Sequence, residues 1–177
     1  FGNILNSSQS VVPLFTKQIR EGGPVTLTDT QMTRFFLTYD DVFDLVDQAI
    51  DKTQGGEVFV YKMPAIRIED IAEAMIEMLS PEYGYEPSDI DIEIIGPRPG
   101  ETFHEEIMTE RETARAFEND NLYAIRPETN EYLYYEDADH FEPTEEIVRS
   151  SENAPKLSKD EIVTLLKETD VGTMTNE

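Results

Sequence analysis

Apolar positions along this chain recur with two periods, and the switches between them outline the secondary structure. Ser10 to Arg20 reads as a helix. Ser10 suits the N-cap, Pro13 falls in the first turn where a missing N–H costs little, and Gly22-Gly23-Pro24 ends it. Residues 25–28 alternate like a short strand, and MTRFFLT (32–38) reads as another. Asp40 and Asp41 open a further helix, where carboxylates suit the dipole, and Val42, Phe43, Leu45, Val46, Ala49 and Ile50 form its apolar face. EVFVYK (57–62) is rich in β-formers and is expected to be a lone or edge strand. Ile68, Ile71, Ala72, Met75 and Leu79 give a second amphipathic helix within 66–79.

IDIEIIG (90–96) alternates before a glycine, and GPRPGE (96–101) must be a loop. Residues 109–119 are predicted helical, with a capping-box spacing between Thr109 and Glu112. NLYAIRP (121–127) and EYLYY (131–135) read as a strand and a partner. Residues 136–157 read as acidic and irregular, and Ser158 to Lys167 as a short helix before a fraying tail. At the other end, Phe1 reads as the close of a strand and Gly2-Asn3 as a turn, so the chain is expected to enter in the middle of a fold.

Composition narrows the function classes. Among 177 residues, 38 are acidic and 14 are Lys or Arg, for a net charge of −24. Phosphate contacts need a basic footprint, so a nucleic-acid partner is disfavoured. The acids are spread along the whole chain, which disfavours an acidic interaction tail. A protein working in molar salt fits best, because the Debye length there is only ~3 Å and surface carboxylates hardly repel one another. The cytoplasm of a halophilic archaeon is such a setting; an ordinary acidic protein is the alternative. The absence of cysteine excludes disulfides and thiolate metal sites. No apolar run approaches the ~18 residues of a membrane span, and no signal peptide is visible, so the expected location is cytoplasmic.

The usual catalytic constellations are missing. There is no Gly-x-Gly-x-x-Gly and no phosphate-loop pattern. HEEIM (104–108) lacks the second histidine of a zinc helix, so His104 and His140 read as partly solvated surface residues. Asp89, Asp91 and Glu93 read as a solvated strand face. The scarce charge is more informative. Of eight arginines, Arg34 sits in an apolar strand and Arg98 in a Gly/Pro loop. Two arginines converging on one anion would suit a diphosphate. Two structural ties to neighbouring carboxylates are the alternative, and spacing alone favours the ties.

Four ordered blocks carry a resemblance: FGNILNSSQSVVPLF, GGPVTLTDTQMTRFFLTYDDVFDLVDQA, KMPAIRIEDIAEAM and GPRPGETFHEEIMTERETARA. Together they resemble the extended short-chain dehydrogenase/reductase family, in the group of UDP-N-acetylglucosamine 4,6-dehydratases and capsular-polysaccharide epimerases. The match covers about residues 1–117. The resemblance implies an α/β fold in which this chain is the C-terminal substrate-binding portion, lacking most of the Rossmann sheet. Residues 1–62 would be the end of the dinucleotide-fold region, 63–135 a substrate-binding subdomain, and 136–177 an acidic extension with a short helix.

The family's Gly-rich cofactor loop and Tyr-x-x-x-Lys pair would lie before Phe1. No Tyr here is followed four residues later by Lys, and Tyr61-Lys62 has the wrong spacing. The resemblance thus implies no catalytic residue in this chain, no metal, and NAD(P) only in the complete enzyme. Its implied partners are a UDP-sugar, the missing N-terminal half and a further copy of the same protein. It places Asn3 between cofactor and sugar, and the backbone of Val11, Val12 and Pro13 at the diphosphate. Thr26 and Thr28 would lie beside the uridine, Arg34 and Arg98 on the diphosphate, and Glu101 near the ribose or a supporting loop. The family usually has Ser-Arg-Gly-Ser where Ser7-Ser8-Gln9-Ser10 stands, and Lys where Thr102 stands. A non-catalytic sugar-nucleotide-binding or regulatory module is the rival reading, and a structural protein without ligand a third.

Thermal melts in rising KCl should show a rising midpoint, because at 0.01 M salt the Debye length stretches to ~30 Å and repulsion returns. A flat response would remove the salt-adapted reading.

Overall fold

In a computed structural model, residues 2–8, 10–128, 141–144, 147–169 and 171 are described. The expected strand at 131–135, His140 and nearly all of the tail after Thr169 lie outside these residues. The fold is mixed α/β, with three small sheets and five helices among the described residues.

The first sheet has the order β1-β3-β5, formed by Asn3–Ile4, Thr33–Leu37 and Ala65–Arg67. β1 runs parallel to β3 with Asn3 opposite Phe36, and β3 runs antiparallel to β5 with Phe35 opposite Ala65. Phe35, Phe36 and Leu37 are all buried, which is why MTRFFLT reads as a continuous apolar run and not as an alternation. A second sheet pairs β2 (Val25–Leu27) in parallel with β6 (Ile92–Ile94).

The helices pack beside β2. α1 (Val11–Arg20) buries Val12, Phe15 and Ile19; α3 (Ile68–Leu79) buries Ile71, Ala72, Met75 and Leu79. α5 (Lys159–Glu168) adds Ile162 and Leu166 to the same core. Helical spacing places these side chains on one stripe of each helix, and each large one buried contributes roughly 1.5–3 kcal/mol. The C-terminal helix is thus part of the main core. Its start is a capping box, with Ser158 Oγ accepting from the Glu161 N–H and the Glu161 carboxylate accepting from the Ser158 N–H.

The third sheet has the order β4-β8-β7-β9: Val58–Tyr61, Leu122–Ile125, Ala116–Glu118 and Glu142–Pro143. β4 is an edge strand, as expected, but its partner β8 belongs to this chain. Residues 109–119 do not form one helix. α4 (Glu110–Thr113) makes a single turn on its Thr109 cap, and the chain then extends into β7. The Asn119 side chain accepts from the N–H groups of Asn121 and Leu122 and folds β7 back on β8. That hairpin wins over a longer helix because it buries Ala116 against Tyr123 and Ile125. Gly2-Asn3 is likewise not a turn, since Asn3 begins β1.

α2 (Tyr39–Lys52) is capped by Thr38, whose Oγ1 accepts from the Asp41 N–H. Only Leu45 is buried; Tyr39, Phe43, Val46 and Ile50 form an exposed stripe.

Substitutions should separate the two helix faces. Ile71→Ala should cost about 2–5 kcal/mol of unfolding free energy, because a fully buried branched side chain leaves a cavity. Ile50→Ser, at a 72% exposed position, should stay within about 0.5 kcal/mol. Chemical denaturation of both variants checks the contrast.

Candidate functional site

The side chains singled out from the sequence converge on the segment 98–105. Thr28, just past β2, donates to a Glu101 oxygen at 3.4 Å. The other Glu101 oxygen accepts from the Arg98 N–H at 3.0 Å, and the Glu101 N–H donates to the Arg98 carbonyl. This closes a tight turn that exposes the Arg98 side chain. That guanidinium has no hydrogen-bond or ion-pair partner among the described residues.

Arg34 is occupied. Its Nη1 donates to the carbonyls of Thr33 and Phe103 at 2.8 and 2.9 Å, and its Nη2 to Thr102 O at 2.7 Å. Nη2 also lies 3.8 Å from the Met32 sulfur, and Nε faces Glu105 at 3.6 Å. A planar five-donor fork spent this way holds the 102–105 loop against β3.

Asn3 joins the same network from β1. Its Nδ2 donates to Phe35 O at 3.1 Å and to both Glu105 oxygens at 2.9 and 3.0 Å. The Phe35 N–H donates to Glu105 as well, at 3.1 Å. Gly2 makes the approach possible: a Cβ there would stand 2.9 Å from the Met63 sulfur and 3.0 Å from Phe35 O. Behind the loop, buried Ser151 accepts from the Glu105 N–H at 2.9 Å and donates to Thr33 O at 3.0 Å. The Thr33 hydroxyl meets Ser151 Oγ at 2.7 Å and His104 Nδ1 at 2.8 Å.

The remaining expected residues lie apart from this network. Thr26 is held to α1 by Gln18, which accepts its N–H at 3.1 Å and donates to its hydroxyl at 2.8 Å. Val11, Val12 and Pro13 form the first turn of α1, with Val12 buried. Ser10 is its N-cap by backbone, but the hydroxyl makes no cap bond and is buried without a hydrogen bond. Glu105, Ser151 and Gln18 escaped the sequence reading. Glu105 stood in the rejected HEEIM metal motif, and nothing local sets it apart from other acids.

A cleft of about 760 Å³ opens beside the network, between Gly2 and Asn3, the Thr102–Ile107 segment, and Ser150 and Glu152. Glu105, Glu106 and Glu152 line it, and no Lys or Arg does. Such a lining of carboxylate acceptors does not suit the diphosphate of a dinucleotide. Tyr61 and Lys62 are engaged elsewhere. Burial, with Asp41 and Asp44 adding to it, pushes the Tyr61 phenol above its ordinary value, the wrong direction for a proton-abstracting tyrosinate. Lys62 pairs with Glu118 at 2.7 Å and sits over the Tyr123 ring. No helix among the described residues is long and apolar enough to cross a membrane, and no His/Cys/Asp/Glu group among them could hold a metal ion.

Comparisons with known proteins agree with one another. A family model described as polysaccharide biosynthesis protein matches residues 1–127. Over 95% of its length the chain is 42% identical to an uncharacterized membrane protein of Methanocaldococcus jannaschii, of which it covers 48%. It is 37% identical, over 72% of its length, to a UDP-N-acetylglucosamine 4,6-dehydratase (inverting) of Campylobacter jejuni, covering 35% of that protein. It is 33% identical, over 94% of its length, to a UDP-glucose 4-epimerase of Rickettsia rickettsii, covering 47%. Among solved structures, Pen from Bacillus thuringiensis superposes with a TM-score of 0.84 at 35% identity, over 98% of this chain and 49% of that one. The chain thus spans about half, or less, of the length of these relatives.

The geometry predicts the effect of a single methyl group. Gly2→Ala should push β1 off β3 and cost about 1–3 kcal/mol, as overpacking does. Its unfolding midpoint in denaturant checks this; wild-type stability would mean that Met63 yields freely.

Proposed function

This chain belongs to the polysaccharide biosynthesis protein family, and from that premise we propose that it is the nucleotide-sugar-binding portion of a UDP-N-acetylglucosamine-type 4,6-dehydratase or epimerase. The observation that carries the reading is the convergence on one loop. Thr28, Arg98 and Glu101 meet at its start, and Asn3, Arg34 and Glu105 at its end. These residues come from four separate stretches of the sequence, and tying them together gives a ligand one surface to bind.

In the proposed complex the diphosphate lies against the exposed Arg98, with the α1 N-terminus offering backbone donors and a favourable dipole. Uridine lies along Thr26 and Thr28, and the sugar reaches Asn3. Arg34 serves the site by holding the loop, and turns to the anion only by releasing a carbonyl. The hydride carrier NAD(P) and every acid and base of the reaction belong to the remainder of the complete cytoplasmic enzyme, so this chain alone is inactive. The stripe of Tyr39, Phe43, Val46 and Ile50 supports a covering partner, either that remainder or another copy.

Calorimetry with UDP-N-acetylglucosamine tests the assignment. Arg98→Ala should weaken binding about ten- to a hundredfold, the worth of one charge-assisted contact, without lowering the melting temperature. Arg34→Ala should weaken binding and lower the melting temperature together. Unchanged affinity in both variants would leave the arginines as structural ties and overturn the nucleotide-sugar reading.

A further inference from the structure

We propose that Glu105 is the positioning residue for Asn3, turning its amide so that only the carbonyl oxygen meets a ligand. The nature of that ligand, a nucleotide sugar, rests on the reading above; the orientation does not.

The amide has one allowed orientation. Its inward neighbours are the Phe35 carbonyl at 3.1 Å and the two Glu105 oxygens at 2.9 and 3.0 Å, all acceptors. Turning it over would set Oδ1 against a carbonyl and a carboxylate, which repel it. Both amide hydrogens are therefore used inward. Oδ1 has no partner among the described residues, and Asn3 lines the cleft. The Glu105 carboxylate is itself fixed, by the Phe35 N–H at 3.1 Å and by Arg34 Nε at 3.6 Å. It is a rigid acceptor supported by β3.

An amide oxygen can only accept. The group that meets Asn3 must donate, as a sugar hydroxyl or an acetamido N–H does. A phosphate oxygen cannot. Glu106 and Glu152 line the same cleft as further acceptors and no Lys or Arg does; the His104 ring stands 4.0 Å from Glu152 as a neighbouring nitrogen group. Glu105 thereby selects the donor-bearing sugar end of the ligand for this cleft and keeps the diphosphate outside it.

The test uses the 177-residue chain and has two arms. Without ligand, the ¹⁵N–¹H side-chain resonances of Asn3 should be shifted and protected from exchange in the wild type. They should lose both properties in Glu105→Ala and keep them in part in Glu105→Gln, which retains one acceptor. Resonances unchanged in Glu105→Ala would overturn the proposal. In the second arm, UDP and UDP-N-acetylglucosamine are titrated separately. Glu105→Ala should weaken the sugar nucleotide about tenfold and leave UDP unaffected. That loss should vanish in an Asn3→Ala background, as expected of residues acting through one another. Equal losses for both ligands, or a loss that persists without Asn3, would overturn the positioning role. Wild-type chain that binds neither ligand would overturn the nucleotide-sugar reading alone, while the resonances still decide the orientation of Asn3.

Discussion

One carboxylate holds the site together. Glu105 takes hydrogen bonds from Asn3 on β1 and from the Phe35 backbone on β3, and faces the Arg34 guanidinium. Three groups that would otherwise compete for water are satisfied by one anion, 102 residues from Asn3 in sequence. A half-buried charge of this kind is tolerable only when its acceptor capacity is well filled. Filling it fixes the end of the loop whose beginning carries Arg98. Removing either side would leave a polar group partly buried and unpaired.

The loop also resolves the competition over Arg34. A diphosphate could use its five donors, yet two loop carbonyls, the Thr33 carbonyl and Glu105 already share them. Arg98, fixed by its backbone through Glu101, keeps its side chain exposed. The two arginines thus differ in kind: one shapes the loop, the other is offered outward. Stability comes from elsewhere. The ion pairs of Lys159 with Glu73 and Glu77 and of Arg67 with Asp70 are exposed, where such pairs contribute little. The buried faces of α1, α3 and α5 supply most of the apolar cluster around β2.

Family membership and half-length coverage bear on the exposed surface. α2 shows an acidic, well-capped helix with four large apolar side chains on its open face. Buried Leu45 and partly buried Val42 hold it against the body, and the stripe adds nothing to that. Four large apolar side chains on one exposed helix face form a patch of the kind that marks an interaction surface.

Much of the fold was legible from local pattern. The helices at 11–20, 39–52, 68–79 and 159–168 follow from 3.6-residue periodicity and caps, since a helix satisfies its backbone within itself. The strands at 25–27, 33–37, 58–61, 92–94 and 122–125 were marked by alternation or apolar runs. The one-turn helix at 110–113 and the strand after it were not, because its length was decided by the hairpin with β8. Arg34, Arg98, Glu101 and Asn3 could be named from their motifs, but not their partners. Glu105 is one acid among 38, and no spacing distinguishes it. Only the parallel pairing of β1 with β3, admitted by the missing side chain of Gly2, brings the Asn3 amide to that carboxylate. Sequence alone determined most of the helices and strands and which residues are chemically equipped. The tertiary structure decided which acceptor each donor meets, because a hydrogen bond between distant residues depends on strand register and close approach that no local pattern encodes.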